Sequence, residues 1–130
     1  MIYLSGTMMG LARDEWLGWR LAARSHFDGR GIETFIPDDA EETEPALIVA
    51  RDLDAMARSR VLLVRAGSAS WGTAMEIHHF HSVLRRPVVA FADSSQFASH
   101  WLRHHCHHLT TNWDDALAVA EKVWRSGALF

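Results

Sequence analysis

The sequence predicts an α/β fold in which helices sandwich a parallel sheet. Three observations predict it. Short apolar runs alternate along the chain with longer segments of helical periodicity. The links between them are short, as strand–helix–strand crossovers require. With 130 residues, 14.7 kDa and 48% hydrophobic residues, the chain suffices for a single domain, residues 1–130, with a core that needs no staples.

The elements follow in order. Met1 to Leu4 is an apolar run that enters Ser5-Gly6-Thr7, a buried strand ending in a tight turn. Asp14 is a cap for a helix reaching Phe27. On it Trp16, Leu17, Arg20, Leu21 and Arg24 fall at helical spacing, one face apolar and the other basic, and Gly29 and Gly31 stop it. Ile32 to Ile36 is a second strand closed by Pro37. After an acidic loop from Asp38 to Pro45, Ala46 to Ala57 reads as a helix offering Leu47, Val49, Ala50, Leu53 and Met56 for burial. Val61 to Val64 is a third strand, continuously apolar and so of the kind buried on both faces. A small-residue loop, Ala66 to Gly72, leads into a helix from Thr73 to Leu84 with Thr73, Ile77, Phe80 and Leu84 on one face. Pro87 to Phe91 is a fourth strand, Ser94 to about His104 a helix, and Leu109 to Thr111 a short fifth strand. Asn112 caps the last helix, Trp113 to Arg125, which ends at Gly127.

Composition excludes several classes of function. Thirteen Lys and Arg against sixteen Asp and Glu give a net charge of −3, so there is no basic footprint for nucleic acid. A single Cys excludes an intrachain disulfide. No apolar run spans a membrane and no signal or lipidation motif is evident, so a cytoplasmic, soluble protein that binds no membrane is expected. Nine His, if protonated, would move the net charge from −3 to +6.

In open parallel sheets ligands bind beyond the carboxyl ends of the strands, where the strand order reverses. For a flavodoxin-like or Rossmann-like order of 2-1-3-4-5, that crevice lies between strands 1 and 3. Both are followed here by Gly/Ser/Thr loops, Ser5-Gly6-Thr7 and Gly67 to Thr73. Small residues let backbone N–H groups approach an anion, and the helix beginning near Gly72 adds a favourable dipole. The pair predicts a phosphate or sugar site. A Walker loop and a complete G-x-G-x-x-G fingerprint are both missing, which disfavours dinucleotide redox chemistry. Glu76 sits one turn into the following helix, its carboxylate directed toward the loop and the sheet end.

Ile2-Tyr3-Leu4-Ser5-Gly6-Thr7, Asp52 in Arg51-Asp52-Leu53-Asp54, and Gly72-Thr73-Ala74-Met75-Glu76-Ile77 ahead of Pro87-Val88-Val89 together resemble the nucleoside 2-deoxyribosyltransferase superfamily over about residues 1–105. That group includes base-exchanging transferases and nucleoside 5′-monophosphate N-glycosidases. The resemblance implies cleavage of the N-glycosidic bond between base and sugar, without metal or other cofactor. It implies Glu76 as the nucleophile at the anomeric carbon, Tyr3 as the residue orienting it, and Asp52 as the acid near the leaving base. Asp54 is the solvated neighbour. The transferases carry an Asp six residues before the catalytic Glu; Ser70 stands there, and with Gly72 it matches the phosphate-binding pattern of the hydrolases. Thr7, with Ser5 and Gly6, falls on their phosphate loop, and Ser99, ahead of Trp101, falls near a residue that reaches into the neighbouring subunit's site. Where those hydrolases can carry an Arg, this chain has Met9; Arg13 is the candidate substitute.

The expected function is therefore hydrolysis of a nucleoside or 2′-deoxynucleoside 5′-monophosphate to free base and sugar phosphate by a homodimer with shared sites. The alternatives are a base-exchanging transferase and a non-catalytic nucleotide-binding module. His78, His79 and His81 lie on the helix of Glu76, and His104, His105, His107 and His108 surround Cys106. Adjacent residues diverge on a helix or strand, so the spacing favours a polar surface or subunit interface over a metal site. An interface of this kind would weaken as pH falls through the His range. Trp16, Trp19, Trp113 and Trp124 fit helix faces packed on the sheet; Trp71 and Trp101 lie nearer the site, where packing and base stacking are both open.

Overall fold

A computed structural model of the chain describes residues 1–38 and 42–127. Part of the expected acidic loop, 39–41, lies outside the described residues. The strands are β1 (Ile2–Gly6), β2 (Thr34–Phe35), β3 (Val61–Arg65), β4 (Val88–Phe91) and β5 (His108–Thr110). The helices are α1 (Arg13–Asp28), α2 (Pro45–Ala57), α3 (Trp71–His78), α4 (His100–His105) and α5 (Trp113–Ser126). All strand pairs are parallel and the order is β2-β1-β3-β4-β5, so the order reverses beside β1 and β3 as expected.

Strand residues alternate between two cores, because successive side chains leave opposite faces of a sheet. Ile2, Leu4, Val61, Leu63 and Val89 face α1 and α5, where Phe27, Ala116, Leu117, Ala120 and Val123 meet them. Tyr3, Leu62, Val64, Val88 and Ala90 face the other side, where Ala55 and Met56 of α2 and Ile77 of α3 pack with Phe80. This parity aims Tyr3, and Ser5 two residues on, at the helix that carries Glu76.

Five local expectations are corrected. Asp14 does not cap α1; Ala12 precedes the helix without a side-chain cap, and Asp14 lies in its first turn. Arg20 belongs to the buried face of α1, completely inaccessible, while Leu21 is turned out to solvent. On α2 only Ala55 and Met56 are buried; Leu47, Val49, Ala50 and Leu53 are exposed. The two-residue β2 leaves little sheet for the outer face of α2 to cover. The Thr73-to-Leu84 helix is not regular: α3 passes at His79–Val83 into a π turn, in which Leu84 N–H donates to His79 O at 3.0 Å. Arg86 N–H then closes back on Phe80 O and Arg85 takes φ 56°, the left-handed position glycine usually fills at a helix end. The Ser94-to-His104 segment likewise divides into a 3-10 turn, Ser94–Ala98, and α4, with Ser99 capping α4 through the N–H of Leu102. Asn112 caps α5 through the N–H of Asp115 at 2.9 Å, and Gly127 ends it at φ 65°. Among the described residues no helix is long and apolar enough to cross a membrane.

Candidate active site

The site grows from the carboxyl end of β1. Ser5 shares the parity of Tyr3, and both side chains meet Glu76 where α3 descends past the sheet. Tyr3 Oη donates to Glu76 Oε2, and Ser5 Oγ donates to Oε1 at 2.8 Å. One carboxylate is thus held at both oxygens by neutral donors, with a second lone pair on each oxygen left over. Burial pushes the Glu76 carboxyl above the usual carboxylate range, and the charge of Asp52 adds to this; the two hydroxyl donors and Arg20 pull the other way. The same burial, with the charge and hydrogen bond of Glu76, holds the Tyr3 phenol far above its ordinary value, so Tyr3 remains a proton donor to Glu76. Tyr3 is fixed from behind by Phe35, ring centroids 5.2 Å apart.

Asp52 stands on α2, facing the crevice from the other side. Its Oδ1 accepts from Arg51 Nη2 at 2.8 Å and Nε at 3.1 Å, and Arg51 also donates to Asp38 O at 2.9 Å. Asp52 is coupled to Tyr3 and Glu76 through its charge. Asp54, by contrast, is exposed and paired to Arg58 one turn on.

The two glycine and hydroxyl loops meet. Thr7 Oγ1 donates to Ser68 O at 2.8 Å, which pins the β1 loop to the β3 loop. Gly6 leaves little room for a side chain: a Cβ there would stand 3.0 Å from Trp19 Cζ2 and 3.2 Å from Arg65 O. Ser70 Oγ accepts from Thr73 N–H at the start of α3, and Gly72 is exposed with open space where a side chain would be. Thr73 Oγ1 is buried there with no hydrogen-bond partner.

Not every expected residue joins this cluster. Arg13 is exposed and paired to Asp38 at 3.3 Å. Ser99 is exposed and spent on capping α4. Trp71 and Trp101 are 84% and 77% exposed, the most open aromatic surfaces near the crevice and α4, which sets them apart from the packed Trp19, Trp113 and Trp124.

Sequence reasoning missed Arg20. Ile2 N–H faces β2, where it donates to Glu33 O at 2.9 Å, so the carbonyls of Leu4 and Gly6 face the same way. β2 is already finished at that height. Arg20 takes its place, donating to Leu4 O at 3.1 Å and Gly6 O at 2.8 Å, and to Trp16 O at 2.6 Å, with its guanidinium over the Trp19 ring. The hint in the sequence was that Arg20 shares a helix face with Trp16, Ala23 and Phe27.

A carboxylate clasped by a tyrosine and a serine at the switch point of a parallel sheet defines a crevice suited to nucleophilic carboxylate chemistry on a small anionic or sugar-bearing ligand. Comparison with solved structures supplies similar architectures. The chain resembles the 2-deoxyribosyltransferase of Bacillus psychrosaccharolyticus at a TM-score of 0.71 and 20% identity, over 89% of each chain. It resembles the 2-deoxyribosyltransferase of Leishmania mexicana at a TM-score of 0.61 and 19% identity, over 70% of this chain and 63% of that one. No protein-family model matches the sequence, and no curated protein matches it either. The chain has the fold of the 2-deoxyribosyltransferases.

Proposed function

We propose that the protein is an N-glycosidase that hydrolyses a nucleoside or 2′-deoxynucleoside 5′-monophosphate to free base and sugar phosphate. The observation that carries the reading is the Tyr3–Glu76–Ser5 clasp in the crevice between β1 and β3. A Glu76 oxygen attacks C1′ as the C–N bond breaks, and the electron pair leaves with the base, which takes a proton delivered from Asp52. The negative charge of the Glu76 carboxylate favours the oxocarbenium-like transition state. Water then attacks C1′ of the glycosyl ester, restoring the Glu76 carboxylate and returning a proton to Asp52.

The start of α3 is the phosphate side, with Ser70, Gly72 and the unpartnered hydroxyl of Thr73 near exposed backbone N–H groups. Ser5, Gly6 and Thr7 form its opposite wall. Arg13 joins only by exchanging Asp38 for the phosphate. The protein works as a homodimer, supported by the exposed apolar stripe of Val49 and Leu53 on α2 and by Met75 and Trp71 on α3. Ser99 of the partner subunit completes each site.

Incubation with a panel of nucleoside monophosphates and nucleosides, with base release followed by chromatography, tests the reading. Release from monophosphates supports it; release from unphosphorylated nucleosides alone overturns it. The architecture shared with two 2-deoxyribosyltransferases favours a second reading, base exchange, which an added acceptor base in the same assay would reveal as a new nucleoside. Mixing inactive Glu76→Gln and Ser99→Ala chains should restore part of the activity if sites are shared.

A further inference from the structure

The two histidine clusters of the sequence form one in the fold. The His81 ring lies 4.9 to 5.3 Å from those of His104, His105 and His107, and His78 Nδ1 is 3.0 Å from His105 Nε2. Among the described residues no group of three or more His, Cys, Asp or Glu is arranged to hold a metal ion. Beside this cluster is a cleft of about 210 Å³ lined by His81, Ser82, Arg85 and His107. It lies at the amino-terminal end of β4 and β5, since Arg85 precedes β4 and His107 precedes β5. Glu76 serves the opposite end of the sheet.

The hydrogen inventory of this cleft is one-sided. Arg85 is exposed, and among the described residues its guanidinium has no hydrogen-bond or ion-pair partner. It is also the one non-glycine described residue with positive φ, a conformation that projects it from the turn closing the π segment. His107 Nδ1 accepts from Val88 N–H at 3.0 Å, so its Nε2 must carry a proton even when the ring is neutral. His81 Nδ1 and Ser82 Oγ are 3.0 Å apart and share one hydrogen, which leaves the other hydrogen of the pair to offer whichever way it is arranged. Among the described residues no carboxylate lines the cleft. The groups facing His81 from α3, α4 and the β5 approach are His78, His104, His105 and His107, all of which oppose its protonation, as burial does.

We propose that this cleft is a second ligand site, one for a tetrahedral oxyanion of the phosphate class, taken up together with a proton on His81. The anion would accept from the Arg85 fork and from the His81–Ser82 pair, against the His107 ring. It would also offset the burial and the neighbouring histidines that hold His81 neutral, so binding strengthens as pH falls. Because it lies at the far end of the sheet from Glu76, the site is separate from the proposed substrate crevice and stands whether or not that reading does.

The test is an NMR titration of the full chain with inorganic phosphate at pH 7.5 and pH 6.0, with chloride holding ionic strength constant. Ribose 5-phosphate in a second arm distinguishes a free phosphate from a phosphoryl group on a sugar. Expected are shifts at His81, Ser82, Arg85 and His107, roughly tenfold tighter binding at the lower pH, and a histidine ring-nitrogen signal showing proton uptake at His81. Arg85→Gly suits the left-handed backbone and should keep the fold while weakening binding at least about tenfold. His107→Gln, which keeps both an acceptor and a donor, should weaken it less. Shifts confined to residues 68–73, an unaltered response in Arg85→Gly, or affinity equal at the two pH values would each overturn the proposal.

Discussion

At the scale of single residues, Glu76 is held in a place that disfavours its own charge. Raised above its unfolded value, its carboxyl favours the fold when protonated, and that contribution is lost as pH rises through the folded value. Glu76→Gln keeps an acceptor for Tyr3 and a polar neighbour for Ser5 while removing the charge. It should abolish base release and raise the melting temperature at pH 7.5 by about 4 °C, for a gain of about 1 kcal/mol. An unchanged or lower melting temperature in calorimetry would contradict the desolvation argument. Tyr3→Phe removes a donor that lowers the Glu76 value, so the acid limb of the pH–rate profile should move to higher pH and kcat should fall by roughly 10- to 100-fold. A carbon-13 signal from the Glu76 carboxyl reports the same shift without any substrate. The roles proposed for Glu76, Tyr3 and Asp52 rest on resemblance. Ser5 as a partner of Glu76 followed from strand parity, a signal that was present but read as phosphate binding.

At the scale of elements, Arg20 does the work of a missing strand. β2 stops two residues along, and a side chain from α1 supplies the donors that a longer β2 would have given to Leu4 and Gly6. Arg20→Met keeps much of the packing volume and leaves those carbonyls without donors. It should lower stability by about 2–4 kcal/mol, seen in urea unfolding, and raise the Glu76 carboxyl value because a buried cation is lost. Arg20→Lys should restore part of the second effect and little of the first, since an ammonium is charged but lacks the guanidinium fork. Loss of stability with no movement of the Glu76 titration would make Arg20 purely structural. Helical periodicity located α1 and α3 well. It misassigned Arg20, because an arginine in an amphipathic pattern is expected on the wet face, and it ran α3 straight through the π turn, because one extra residue per turn leaves no compositional mark.

At the scale of the whole molecule, charge responds to pH through the joined histidine cluster. His81 and His107 are both held below the ordinary imidazole value, chiefly by burial. The unfolded chain therefore binds protons first, and stability should fall as pH drops below about 6.5 through these lowered values. Glu76 acts in the opposite sense and recovers stability as it is protonated. Melting curves between pH 7.5 and 5.5 should show the decline, and His81→Gln should flatten it; a curve no flatter in that variant would remove His81 as the cause. Phosphate at equal ionic strength should protect the native protein more at pH 6.0 than at pH 7.5.

The layered parallel architecture, the alternation of five strands and five helices, and the crevice at the switch point were all legible in the sequence. These follow from periodicity and turn chemistry, which act over a few neighbouring residues and leave local marks. What lies across the fold emerged in three dimensions alone. Examples are the clasp of Tyr3 and Ser5 on Glu76, the buried Arg20 under β1, the exposed stripe of α2, and the union of histidines from α3, α4 and the approach to β5. Each joins residues far apart in the chain, and their proximity is set by strand order and register, which no local pattern records.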